Sequence, residues 1–572
     1  MLKKILFVLN KKEINSFTKI SFFVFLGVFI EMLSFAIIIP VFNILFSDTI
    51  PDNNFVNYFD NSRDFLGEKN FKIGILALML FIFLFKNIYL IFLNYFNRKL
   101  FYLINIRLSN SLFSLYLRQN YSFFLDIKSE NLLRKSTTDI VGFQTFLSAF
   151  QGLIAELVLL FCLSILLLKS NYIIFLFCFF VFLTIIFLYV KIVKQKIKNW
   201  SYAYQKNIGD LQNLITEGVR GIKDIFVYKL ENFFSKKFEY SVTSTMIPFF
   251  KIDFINNVQR FWMELLAVIS ITAPMIFFVY YDVNINELIP TFVLFSISIF
   301  RIVPSFNRII LNYQNIKFFL PSVNVIHKEF SDLQPNNAVI DKNLEFKKTI
   351  ELKNVSFSYN QNAPALFTNL NIKILKGQTI AFLGQNGSGK STLLNILSGL
   401  IAPSTGKIII DNDHDICSNK KSWLNNISYV QQNIFLINAS IKRNIMLEDE
   451  NTSNSKFFLD ICNFLYLEKM FGKLPDKLET VVGNDGLYLS GGQKQLISIA
   501  RALYKNTEIV IFDEASSALD KDYSTLLRNV ITSLKGKKTL IIVTHDQDFP
   551  KKYFDLIYKI ESKNLILLKN DF

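Results

Sequence analysis

Gly384-Gln385-Asn386-Gly387-Ser388-Gly389-Lys390-Ser391 follows the apolar run Thr379-Ile380-Ala381-Phe382-Leu383 and precedes a helix-like run beginning at Thr392. Strand, glycine loop and helix in that order are the context of a phosphate-binding loop. Glycines let backbone N–H groups curl around phosphate oxygens, and the N-terminus of the following helix adds positive partial charge. Lys390 is placed to reach the β- and γ-phosphates, and the Ser391 hydroxyl to ligate Mg²⁺. Alone, the loop specifies a nucleotide phosphate and no particular chemistry.

The chain around this loop has 572 residues, enough for two or more domains with full cores. Its hydrophobic fraction is 51% and its mean hydropathy +0.32, too apolar for an ordinary soluble enzyme. The apolar residues concentrate in roughly the first 320 positions, so a membrane domain is expected ahead of a soluble one. The net charge of +16 suggests nucleic acid at first sight. Lys and Arg gathered on the cytoplasmic side of a membrane protein account for it better, and no nucleic-acid partner is expected. Cys162, Cys178, Cys417 and Cys462 are scattered without metal-ligand spacing, so neither a disulfide nor a zinc site is expected.

Apolar segments at about 20–46, 71–97, 146–168, 171–190, 256–281 and 288–311 predict six membrane spans. The first follows a basic stretch (Lys3, Lys4, Lys11, Lys12, Lys19) and precedes an acidic connector over 47–70. That asymmetry puts the N-terminus in the cytoplasm and the connector outside. The two long polar segments, about 98–145 and 191–255, are rich in Lys and Arg and belong inside. They keep a helical period, so the spanning helices are expected to run well beyond the bilayer. Their turns are expected near Asn120–Ser129 and Gly218–Lys229. The apolar pattern lapses from Pro321, and from Ile350 the period becomes that of an α/β domain. The expected division is a helical six-span membrane domain over 1–325, a linker over 326–348 and a nucleotide-binding domain over 349–572.

Further features accompany the loop in the soluble part. Tyr359 ends a strand and can stack on an adenine. Gln432, in Tyr429-Val430-Gln431-Gln432, can meet Mg²⁺ and the attacking water. Leu489-Ser490-Gly491-Gly492-Gln493 is a second glycine turn opening a helix, whose N–H groups and Ser490 hydroxyl suit an anion. The apolar strand Ile509-Val510-Ile511-Phe512 ends in Asp513, placed for Mg²⁺, and Glu514, placed to orient or deprotonate water. Another apolar strand, Leu540 to Thr544, ends in His545, within reach of a γ-phosphate.

Taken in order, the phosphate loop, Gln432, Leu489–Gln493, the Phe512-Asp513-Glu514 strand end, Ser517-Ala518-Leu519-Asp520 and His545 resemble an ABC-transporter nucleotide-binding domain over about 350–565. With six spans ahead of one such domain, the whole chain resembles a type IV exporter half-transporter. The resemblance implies a homodimer that sandwiches two ATP molecules between the phosphate loop of one copy and Ser490–Gln493 of the other. It also implies nucleotide contacts from Gly384 to Thr392 and from Asp520. Two positions depart from the family pattern. Asn484 stands where a Glu usually follows the glycine, the acid being shifted to Asp485, and Leu496 stands where an Arg is usual.

Ionisable residues inside the spans narrow the cargo, because such groups usually line a cavity or pair with one another. Glu31, Lys86, Glu156, Arg260, Glu264, Arg301 and Arg308 are the candidates. Should Lys86, Arg260 and Arg301 share a cavity, the cargo is anionic, with a phosphate or pyrophosphate matching the guanidinium fork. Arg260 can instead pair with Glu264 at i,i+4, and Arg308 can reach the cytoplasmic interface. The stretches around Arg260–Glu264 and Phe300–Ile310 are similar to segments of the lipid-linked oligosaccharide flippases of bacterial N-glycosylation. That similarity implies movement of a polyprenyl-pyrophosphate-linked glycan to the outer leaflet of the bacterial inner membrane. Export of another lipid, a drug or a peptide uses the same engine. A non-transporting ABC ATPase is the alternative of a different class.

Overall fold

The structure is a computed structural model that describes residues 2–37, 41, 67–170, 172–280, 285–333, 344–359, 364–447, 455–483, 486, 488–515, 521–544, 553–561 and 563–570. His545, Asp520, Asn484, Asp485 and most of the acidic connector lie outside the described residues, as does the Arg260 side chain. The chain separates into two compact units, residues 1–119 with 126–336 and residues 120–125 with 337–572.

The first unit is helical. Short α1 (Leu2–Val8) precedes α2 (Lys11–Ala36) and α3 (Glu68–Leu117). Short α4 (Tyr121–Asp126) follows in the chain but falls almost wholly in the second unit, and α5 (Ser129–Ser136) then leads into α6 (Thr138–Ser170) and α7 (Tyr172–Arg220). After α8 (Ile222–Val227) come α9 (Glu231–Tyr280) and α10 (Ile285–Asp332). A 50-residue helix such as α3 is about 75 Å long at 1.5 Å per residue, far more than a bilayer core needs. The expected extensions beyond the spans are therefore present, and the chain turns through α4, α5 and α8 where turns are expected. Among the described residues, Lys11–Ser34, Lys69–Leu117 and Ser129–Ile165 are long and apolar enough to cross a membrane, with mean hydropathies of 1.7, 2.4 and 2.1. The expected spans at 171–190, 256–281 and 288–311 fall on α7, α9 and α10.

Helix α10 packs most extensively on α6, burying Phe143, Phe146 and Leu147 with Val323 and Ile326. Gly142 permits the close approach: a Cβ there would lie 2.7 Å from Ser322 Oγ. This packing carries α10 on to Asp332, through Pro321 and into residues that sequence pattern alone gives to the linker. A tertiary face has overridden a local helix-breaking signal.

The second unit contains two sheets. One joins, in order, Phe367–Leu375, Thr349–Phe357, Thr405–Ile410 and His414–Asp415; the other has six strands, with Asn564–Asn570 and Leu556–Glu561 on one side of the four named next. In the larger sheet β3 (Thr379–Leu383), β8 (Thr539–Val543), β7 (Ile509–Asp513) and β6 (Ile427–Val430) are parallel neighbours. Strands β7 and β8 are buried along their whole length, as their unbroken apolar runs require. The register pairs Phe382 with Val543, Val543 with Asp513, and Phe512 with Val430. The carboxyl ends of four strands thus come level. Open α/β sheets bind ligands at such an edge.

Candidate nucleotide site

The phosphate loop leaves β3 and enters α11 (Lys390–Leu397). Gly389 caps that helix at φ 95°, and a Cβ there would lie 2.7 Å from Phe367 Cζ, so only glycine fits. The Lys390 ammonium is buried and curls back over the loop, donating to the carbonyls of Gly384 (3.0 Å) and Gln385 (3.2 Å). It also lies 3.4 Å from Glu514 Oε1. Those oxygens hold the cation where a phosphate would otherwise stand. Ser388 Oγ is buried with no hydrogen-bond partner, an orphan suited to an incoming acceptor.

Parallel pairing brings the two acids and Gln432 to the same edge. Asp513 is buried at the end of β7; its Oδ1 accepts from the Ser391 hydroxyl at 3.2 Å and its Oδ2 from the Tyr429 hydroxyl at 3.0 Å. Burial raises the Asp513 carboxyl above the usual carboxylate range, against the pull of those two donors. Burial and the Asp513 charge push the Tyr429 phenol upward, which keeps it protonated and donating. Glu514 follows at φ 47°, an uncommon backbone conformation for a residue with a Cβ. Its N–H donates to Val543 O at 3.0 Å, and its Oε2 accepts from Gln432 Nε2 at 2.6 Å. Gln432 therefore keeps its amide oxygen for a cation.

Tyr359 exposes its ring while its hydroxyl lies 2.6 Å from Thr392 Oγ1. A cavity of about 400 Å³ is lined by Tyr359, Leu366, Asn386, Gly387, Gly389, Lys390, Ser391, Thr392, Gln432 and Glu514. That is within the size range of small-molecule sites. The Ser391 hydroxyl, Asp513 carboxylate and Gln432 amide oxygen are the hard oxygen donors that Mg²⁺ prefers, so the residues present fit it.

Ser490–Gln493 open α12 (Gly491–Tyr504). A capping box forms there: Ser490 Oγ accepts from Gln493 N–H at 3.2 Å, and Gln493 Oε1 accepts from Ser490 N–H at 2.9 Å. The Ser490 hydroxyl keeps its own proton to donate. None of these four residues lines the cavity in the same chain.

In the helical unit the described basic cargo candidates, Lys86, Arg301 and Arg308, separate. Arg301 of α10 donates through Nη2 to Glu31 Oε2 of α2 at 2.7 Å, with the two side chains 13% and 14% exposed. Lys86 of α3 is buried within electrostatic reach of that pair, its ammonium 4.5 Å from the Phe83 ring centre. Arg308 instead pairs with Glu156 of α6 and is half-exposed. The structure thus groups Lys86 with Arg301 around Glu31 and sets Arg308 apart.

Sequence reasoning leaves two residues without a role. Arg501 donates from α12 to the carbonyls of Asn444 (2.8 Å) and Phe435 (3.1 Å), which fastens the helix to the segment after Gln432. The other is Tyr429, whose only signal is a polar hydroxyl in an otherwise buried strand ending.

A nucleotide cavity at the carboxyl edge of a parallel sheet, with a glycine-turn helix aimed elsewhere and a separate unit of very long helices, defines a nucleotide-binding membrane protein of the ABC type. The family profile of ABC transporter transmembrane regions matches residues 17–303, about half of the chain, and that of the ABC transporter domain matches residues 367–517. The chain belongs to the ABC transporters. It is 29% identical over 349 residues to an ABC transporter ATP-binding protein of Mycoplasma genitalium, covering 60% of this chain and 59% of that one. It is 27% identical over 371 residues to the ATP-dependent lipid A-core flippase of Photorhabdus laumondii, covering 62% and 61%. The chain thus spans about three fifths of the length of these curated relatives. The solved structure of a bacterial Atm1-family ABC exporter with ATP bound has the same fold, at a TM-score of 0.75 and 17% identity over 97% of this chain and 94% of that one.

Proposed function

We propose that the protein is an ATP-driven flippase that moves a polyprenyl-pyrophosphate-linked oligosaccharide from the inner to the outer leaflet of a bacterial inner membrane. The observation that carries the ATPase part is the convergence of Lys390, Ser391, Gln432 and Glu514 on one cavity, with Asp513 hydrogen-bonded to Ser391. Lys390 would leave the carbonyls of Gly384 and Gln385 for the β- and γ-phosphates. Tyr359 would release its hydroxyl from Thr392 as the ring meets the base. Ser391, Asp513 and Gln432 would hold Mg²⁺, which when bound neutralises charge developing on the phosphates. Glu514 orients and deprotonates the attacking water, and His545 contacts the γ-phosphate. Asp520 belongs to the same site. Since Ser490–Gln493 do not line the cavity of their own chain, they are assigned to the nucleotide of a second copy. A homodimer follows, with its N-termini and ATP-binding units in the cytoplasm.

For the cargo, the reading rests on Lys86 and Arg301, two cations brought together around Glu31 in an apolar unit. Basic groups grouped in this way suit an anionic phosphate or pyrophosphate headgroup; Arg260 and Arg308 are its further candidates. A second reading, transport of a lipid A-like glycolipid, is favoured by the relatives that are lipid A-core flippases. Both headgroups are phosphorylated saccharides.

Purified protein in proteoliposomes separates the two. A fluorescent pyrophosphate-linked oligosaccharide lipid is expected to become accessible to an external quencher only with ATP and Mg²⁺. Arg260→Ala with Arg301→Ala should slow that movement while basal ATP turnover continues. Movement of a lipid A analogue alone selects the second reading, and equal flipping by the double variant removes the charge argument.

A further inference from the structure

We infer that Tyr429 is a positioning residue of the Mg²⁺ site, tethering one oxygen of Asp513 so that the other is presented to the cation. The inference rests on the proposed role of Asp513 and Ser391 as cation donors. Parallel pairing sets Tyr429 of β6 beside Ile511 of β7, and Asp513 stands two residues further along the same face of β7. A phenol ring spans that offset, and its hydroxyl donates to Asp513 Oδ2 at 3.0 Å. The opposite oxygen, Oδ1, faces the Ser391 hydroxyl at 3.2 Å.

The terminal torsion of an aspartate is broad and nearly two-fold, so an untethered carboxylate exchanges its oxygens freely. Here an uncharged donor from the neighbouring strand occupies Oδ2. Only Oδ1 is left on the side of Ser391, the other hydroxyl assigned to the cation. Hydrogen bonds behind a ligating carboxylate orient it and tune its affinity for metal. Tyr429 therefore sets how strongly the site holds Mg²⁺; neither it nor Asp513 lines the cavity, which the tether reaches through Ser391.

Tyr429→Phe keeps the ring and removes only the hydroxyl, so the test separates tethering from packing. The full-length protein and this variant are purified in detergent. Each is titrated with a fluorescent ATP analogue in EDTA, and with Mn²⁺ followed by electron paramagnetic resonance in the presence of a non-hydrolysable ATP analogue. Nucleotide affinity in EDTA is expected to match the parent, while Mn²⁺ affinity falls about tenfold. The Mg²⁺ concentration giving half-maximal ATP turnover should rise in parallel, with most turnover recovered at high Mg²⁺. Unchanged Mn²⁺ affinity, or equal loss of nucleotide binding with and without cation, would overturn the inference and leave Tyr429 a packing residue. Asp513→Asn is the second arm. Mn²⁺ held at parental strength by that variant removes Asp513 from the site, and the underlying assignment then fails rather than the tether alone.

Discussion

The two units of this protein both bury ionisable side chains, and they do so by opposite means. In the nucleotide-binding unit, Lys390 and Glu514 line one cavity, and Asp513 is hydrogen-bonded to Ser391 of the same lining. Their charges are partly met by backbone carbonyls and neutral donors: Gly384 and Gln385 for Lys390, Tyr429 and Ser391 for Asp513. In the helical unit Arg301 meets Glu31 and Arg308 meets Glu156, each carboxylate coming from another helix. A carbonyl or hydroxyl partner is exchanged readily for a phosphate. An ion pair in apolar surroundings gives way only to another charge, because a charge left alone there is stranded. One unit is built for ready exchange of neutral partners, and in the other the ion pairs also join helices.

The same neutralisation applied to both units gives the sharpest contrast. Glu514→Gln should lower ATP turnover by about 10²–10⁴-fold while nucleotide binding persists, the range for loss of a general base. Glu31→Gln should leave ATP turnover within a few-fold of the parent. Phosphate release and fluorescent nucleotide binding measure both, and undiminished hydrolysis by the Glu514 variant would remove that residue from the reaction.

A smaller effect tests the helical unit. Arg301→Leu leaves the Glu31 carboxylate buried without its partner and should cost about 3–5 kcal/mol of stability. Thermal unfolding in detergent should show a large drop, much of it restored when Glu31→Leu is added. Losses that simply add in the double variant would mean that the two side chains are not coupled.

The smallest effect lies at the signature helix. Ser490→Ala removes the cap that Gln493 N–H uses and should cost about 1 kcal/mol. ATP binding to one copy should be unaffected, because Ser490 does not line that copy's cavity, whereas turnover should fall if it serves a second copy. A parallel loss of ATP affinity in protein held monomeric would place Ser490 at its own chain's site instead.

Legibility followed the same divide. The phosphate loop, Gln432, the acids after β7 and the glycine turn before α12 can all be read from short segments, and the structure brings the first three together. Long helices with turns near Asn120–Ser129 and Gly218–Lys229 were equally legible, because their apolar and polar periods are continuous. Three features were not. The passage of α10 through Pro321 depends on a face packed against α6. The Tyr429 tether depends on which strand lies beside β7. The split of Arg301 from Arg308, seven residues apart on one helix, depends on where α2 and α6 place their carboxylates.

Sequence alone determined the chemistry of the engine, since a loop that cradles phosphate is made by consecutive residues whose backbone geometry is local. Tertiary structure decided the partners of the buried charges. Glu31 and Arg301 stand 270 positions apart, and Tyr429 and Asp513 stand 84 apart. No local propensity links residues at such separations. Burial then enforces the pairing, because an ionised group taken out of water must find a partner or give up its charge.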